Sequence, residues 1–291
     1  MLEGQCVRAT RAGVDLIAGH TALLIRSKTY TPVGRCIYCG QTGNLAREHI
    51  IPYSLNGVFV LPRASCPVCA KAINRFEDKC ARQMFGPLRA RHPFRRRKKH
   101  KKPHAFEVDV ATEDGRHQLR SVPAQDHPDI LFLMKFEHTA NILIGDPGID
   151  TSALSPWIGH GDNLDGKAGW TVGAFDAFAF ARMLVKIGHG LAVAEMGLDG
   201  FKPLTLDFIL GRSDHLSRFV GGNASVETAA PGSLHWLRLR DHFDQTSGRR
   251  FVVAHIRLFS CLGAPSYHVA VGEALPGAPL LGSHASSVDM S

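Results

Sequence analysis

The chain has 291 residues, 44% hydrophobic and 21% charged, enough to bury one large core or two ordinary ones. No run of eighteen apolar residues and no apolar leader with a small-residue cleavage site is present, so a membrane span and a secretory signal are not expected, and a cytoplasmic chain is. The net charge of +8 hides an asymmetry: residues 1–104 hold 20 Lys+Arg against 5 Asp+Glu, and the remainder holds 14 against 21, which makes a polyanion the expected partner of the first third.

The apolar spacing of residues 7–28 predicts a helix. Gly34 then leads into Cys36-Ile-Tyr-Cys39 and a Gly-containing polar stretch, the setting of a metal knuckle. Leu45-Ala-Arg-Glu-His-Ile-Ile-Pro52 reads as a strand, Ser54-Leu-Asn-Gly57 as a turn, and Val58 to Ser65 as a second strand. From Ser65 the pattern becomes helical, with Ser65 as its cap and Pro67 in its first turn. Cys66-Pro-Val-Cys69 opens this helix, 26 residues after the first pair.

Seven cysteines is an odd count, too few for a secreted disulfide scaffold of this length. Two CxxC hooks supply four thiolates for one tetrahedral Zn²⁺, so Cys36, Cys39, Cys66 and Cys69 are the expected ligands of a structural zinc. Free or redox-active thiols are the competing explanation, and no βαβ pattern of the thioredoxin kind surrounds them. Cys6, Cys80 and Cys261 read as small buried hydrophobes, with Cys80 close enough to the second hook to watch.

Cys-Ile-Tyr-Cys, Arg47-Glu-His-Ile-Ile-Pro-Tyr-Ser-Leu-Asn-Gly57 and the helix-opening Cys-Pro-Val-Cys together resemble the HNH endonuclease family, in its four-cysteine branch with a ββα-metal core. The resemblance covers residues 33–80. It implies that Glu48 binds a divalent ion, Mg²⁺ or Mn²⁺, and that His49 is the general base for water attack on a phosphodiester. A His or Asn on the following helix would complete the metal site. The place immediately after the last cysteine holds Ala70, which cannot ligate. Asn74, one turn on, and Glu77 share that side of the helix and are the expected helix ligands. The Asn that steadies the first loop of the family is also displaced, with Asn56 in the loop and Arg63 nearer the expected place. Glu48 and His49 are adjacent in a strand and point to opposite faces unless the backbone is distorted.

Residues 89–104 follow without an acid, holding nine cations between Arg89 and Lys102. Arg95, Arg96, Arg97, Lys98, Lys99, Lys101 and Lys102, together with Arg47, are the expected nucleic-acid contacts. A solvated linker is the plainer reading of such a run. Phe94 could stack on a base, whereas His92, His100 and His104 read as incidental.

Further on, residues 106–122 predict a hairpin about Asp114-Gly115, and residues 129–136 a buried strand or short helix. Residues 173–197 predict a long amphipathic helix on which Lys186 and His189 could face a pocket, although one polar insert is more ordinary. Residues 159–166 could hold a cation, although a Gly/Asp/Asn turn explains them better. Three segments within 234–275 read as successive antiparallel strands.

The expected fold is therefore α+β, a small zinc-stabilised ββα-metal core followed by a larger mixed domain with antiparallel strands. The expected divisions are 1–32, 33–88, 89–104, 105–275 and a disordered tail, 276–291. The expected function is a metal-dependent endonuclease acting on DNA, with RNA also open as substrate. A noncatalytic zinc-stabilised nucleic-acid-binding protein on a degenerate core is the alternative, and a protein-interaction module is a third.

Overall fold

The structure, a computed structural model, describes residues 27–91, 94–95, 104–112, 114–127, 130–145, 154–160, 170–171, 175–222, 234–260, 263–281 and 288–290. The helix expected from residue 7, Cys6 and Cys261, and the run from Arg96 to Lys102 lie outside these residues, as does the 161–166 part of the candidate cation turn.

The first sheet joins β1 (Lys28–Thr29), β2 (Ala46–His49) and β3 (Phe59–Ser65). β3 lies in the middle, parallel to β1 and antiparallel to β2. The β2–β3 register slips between Ala46, opposite Ser65, and Glu48, opposite Leu61. The surplus falls at Pro62-Arg63, where Pro62 has no N–H for the ladder and Arg63 takes a left-handed φ of 49°. Their freed carbonyls accept from Val33 and Gly34, and the Ala64 carbonyl accepts from Ile37. The strand irregularity thus holds the first cysteine loop in place.

The connection after β2 is longer than a two-residue hairpin turn. A 3₁₀ turn, Tyr53–Leu55, is closed by Asn56 at φ 64°. Gly57 is required here because a Cβ would lie 1.9 Å from the Ile51 carbonyl oxygen. Helix α1 (Pro67–Lys79) has Pro67 at its start, as expected, but its cap is Cys66 rather than Ser65: the Cys66 sulfur accepts from the Cys69 amide. A π turn, Cys80–Met84, and α2 (Gly86–Arg91) follow.

Strands β4 (Ala105–Ala111) and β5 (His117–Pro123) form the hairpin expected about Asp114-Gly115. β6 (Ile130–Phe136) is a strand paired with β7 (Leu154–His160), and β8 (Trp170–Thr171) joins β4. After α3 (Ala177–Met196) come β9 (Phe201–Pro203), α4 (Leu206–Ile209), α5 (Leu216–Phe219) and β10 (Val220–Gly222). β11 (His235–Phe243), β12 (Arg250–Leu258) and β13 (Tyr267–Ala274) are the three expected antiparallel strands. β14 (Val288–Met290), within the expected disordered tail, pairs with β11. The large sheet runs β10-β13-β12-β11-β14, with β9 also on β13.

The mixed α+β class with antiparallel sheets is observed. Helix α3 is central to it, and its environment differs from the amphipathic expectation. Its residues from Ala179 to Val193 are buried except Arg182, and Lys186 is 1% exposed. By length and composition α3 resembles a membrane span, but 78% of that apolar window is packed inside the fold, where two layers cover it. On one side Gly188 lets the large sheet come close, since a Cβ there would lie 2.8 Å from Val271 and 3.0 Å from Ala254. On the other, α3 meets α1 and Ile50. Both its ends are tied to the first sheet and α1. Asp176 caps the helix through the Ala179 amide and pairs with Lys79, while Glu195 accepts from Tyr30 and Lys28. One buried core runs unbroken from Cys36 to Val271.

Candidate functional site

The four sulfurs of Cys36, Cys39, Cys66 and Cys69 lie within 4.8 Å of one another. A tetrahedral Zn²⁺ with bonds of about 2.3 Å sets its sulfurs about 3.8 Å apart; Cys39 and Cys66 stand at 3.7 Å. The first hook is shaped by Gly40 at φ 76°, whose amide returns to the Cys36 carbonyl, and the second by the turn that opens α1. Burial disfavours the Cys66 thiolate. Donation from the Cys69 amide and the neighbouring thiols outweighs burial and brings its pKa down to about 7. Burial dominates at Cys36 and Cys69, whose pKa values are raised. Such a set shares few negative charges alone and becomes fully ionised only around a cation. The donor set fits zinc. Cys80, fully buried at the end of α1, is not part of it, and burial raises its thiol pKa.

Beyond this centre, Glu48 from β2 and Glu77 from α1 converge on an ammonium. Lys186 from α3 reaches Glu48 at 2.7 Å and Glu77 at 2.9 Å. It also donates to the His49 carbonyl and, at 3.3 Å, to that of Ile50. Burial works against its charge, yet the two carboxylates outweigh burial and hold its pKa above the ordinary lysine value. The place between the carboxylates is therefore taken. Mg²⁺ requires about six oxygens at roughly 2.0–2.1 Å and repels an ammonium at that distance. The expected Mg²⁺ or Mn²⁺ does not fit the pair as built. Asn74 lies half-buried on α1, one turn before Glu77.

The alternation of β2 persists at the Glu-His pair, because the slip lies before it. Glu48 turns to α1 and α3, while the His49 ring meets Tyr53 edge-on at 5.3 Å. Both residues are 8% exposed. The exposed Arg95 guanidinium lies over the same tyrosine ring at 5.7 Å, and the Arg95 amide donates to Asn56 Oδ1 at 2.9 Å. Asn56 thus fixes Arg95, within the basic run, over the Tyr53 ring. Arg47 is exposed on β2. Phe94 is no stacking platform: it is buried against Phe259.

Sequence reasoning passed over Tyr38, whose buried ring lies 5.7 Å from His189, and over His235. His189 and Lys186 stood out as the polar insert of an apolar helix, but their partners are more than 130 residues away. No family model, curated protein or solved structure matches the chain.

Proposed function

We propose that the chain is an HNH-type endonuclease that hydrolyses nucleic-acid phosphodiesters, DNA in the first instance, with His49 as general base and zinc in the cysteine centre as a structural ion. The order β2, β3, α1, with one cysteine hook before it and one at the helix start, supports an assignment to the ββα-metal core. The observation that carries the reading is the row His49, Tyr53 and Arg95, in which one tyrosine ring is shared by an imidazole and an exposed guanidinium.

A water oxygen bonds to phosphorus, His49 accepts a proton of that water, the P–O3′ bond breaks, and the leaving 3′ oxygen takes a proton from solvent to become a hydroxyl. An imidazole ring nitrogen is the side-chain group best suited to accept that proton. Arg95 and Arg47 can offer paired N–H donors to the phosphate, as guanidinium geometry favours.

A second reading, a nucleic-acid binder without cleavage, is favoured by Lys186, which already neutralises part of the acidic pair. One experiment separates them: nicking of supercoiled DNA by the parent and by His49→Ala, with binding followed by fluorescence anisotropy at fixed salt. The nuclease reading expects His49→Ala to lose roughly a hundredfold or more of the rate and to bind within about twofold of the parent. Equal nicking by both proteins refutes the base role. A parent that binds and never cuts, with or without added Mg²⁺ or Mn²⁺, establishes the second reading.

A further inference from the structure

The cluster of Glu48, Glu77 and Lys186 is built from three elements and has no exposed member. Lys186 is 1% exposed at its side chain, Glu48 10% and Glu77 11%. A charge taken out of water this completely costs several kcal/mol unless close partners offset it. Lys186 has such partners on all its donors. Three N–H groups face two carboxylates and the His49 carbonyl, with the Ile50 carbonyl as a weaker fourth acceptor. A mobile surface lysine folded over an acidic pair would not also be pinned to two backbone carbonyls from beneath. Its own backbone is equally fixed, in the middle of a helix buried between α1 and the large sheet.

We infer that Lys186 is the resident cation of this site: its ammonium permanently takes the position between Glu48 and Glu77 that a divalent metal would otherwise hold, so the intact protein takes up no divalent ion there, and removing Lys186 uncovers a divalent-metal site. The chemistry is symmetrical. Two carboxylates with two backbone carbonyls beside them form an all-oxygen ligand set, the kind Mn²⁺ and Mg²⁺ prefer. What decides the occupant is the single tethered ammonium, present at an effective concentration no free ion matches. The inference stands whether or not the protein cleaves nucleic acid, because it concerns which cation the pair holds.

The test is Mn²⁺ binding to the full-length, zinc-loaded chain, followed by electron paramagnetic resonance of free Mn²⁺, alongside thermal melts with and without Mn²⁺. The parent is expected to bind no Mn²⁺ that depends on these glutamates. Lys186→Ala is expected to bind Mn²⁺ at least tenfold more tightly than the parent and to lose that gain when Glu48→Gln is added. Lys186→Met refills the lysine's volume and leaves the carboxylates facing each other without its ammonium. It should melt below the parent, and Mn²⁺ should raise its melting temperature while leaving the parent's unchanged. Parent protein that binds Mn²⁺, with binding abolished by Glu48→Gln or Glu77→Gln, overturns the inference, and so do folded Lys186 variants that gain no Mn²⁺ affinity. Should neither variant fold, the parent beside its Glu77→Gln form decides alone.

Discussion

His235 and His189 are buried imidazoles whose protonation is fixed by their neighbours. His235 donates from Nε2 to the Leu55 carbonyl at 2.7 Å and accepts at Nδ1 from the Phe259 amide at 3.2 Å, which defines one neutral tautomer. His189 donates to the Ile37 carbonyl at 2.8 Å. Burial pushes each pKa down to about 4, with the carbonyl contact opposing it in part. Because the folded values lie below the unfolded one, the unfolded chain binds the extra protons between about pH 6.5 and 4. Stability is then fully present above pH 6.5 and is lost as pH falls through that window, by roughly 3 kcal/mol per histidine at most. Urea melts at pH 7.5 and 5 should show the loss, and His235→Gln, which keeps an N–H donor but cannot titrate, should lose less between the two. An identical loss in that variant would remove His235 from the account. Nothing in the strand pattern around His235 announced this role. Glu48 and His49 were legible as a pair because they are adjacent, whereas the cation between Glu48 and Glu77 comes from a helix that only the tertiary fold brings near.

At the scale of elements, the cysteine hooks were the most legible feature, since thiolate spacing and turn residues are local. Their consequence is also local: zinc ties the loop before β2 to the first turn of α1. Structural zinc supplies on the order of 10 kcal/mol of apparent binding free energy in small modules, so its removal should loosen the β2–β3–α1 unit as a whole. Purified protein is expected to hold about one zinc per chain by elemental analysis, and chelation should lower its melting temperature by well over ten degrees. Zinc-free protein that melts where the loaded form does would show the thiols to be merely neighbours. The same scale holds the main misreading. The periodicity read α3 as amphipathic with Lys186 as a polar insert, but both sides of the helix are covered, and Gly188 and Gly190 mark close approach on the sheet side and the Ile50 side. A helix covered on both sides leaves little amphipathic signal, and the partners of one lysine in it are not legible when they lie on other elements.

For the whole molecule the question is whether residues 27–91 form an independent zinc module. Three side chains from the later part of the chain donate to backbone carbonyls of this segment: Lys186 to His49 and Ile50, His189 to Ile37, and His235 to Leu55. Lys186 also pairs with both buried glutamates of this segment, Glu48 and Glu77. Without α3 and β11, Ile50, Ile51 and Leu55, now essentially inaccessible, would lose the core they belong to. An excised segment would thus combine exposed apolar surface, carbonyls returned to water and two facing carboxylates that have lost the Lys186 ammonium. Zinc can close the cysteine loop but offsets none of these losses. Residues 27–91 with equimolar zinc are therefore expected to bind the metal through the thiols yet show no cooperative thermal transition and poor dispersion of amide proton resonances. The full chain should melt in a single step that Lys186→Met lowers. A segment that melts cooperatively by itself would make the zinc unit a self-sufficient domain, with α3 docked on it afterwards. The continuity of the core argues for the opposite order, in which α3 is the common wall of both halves and the site beside the zinc exists only once the whole chain has folded.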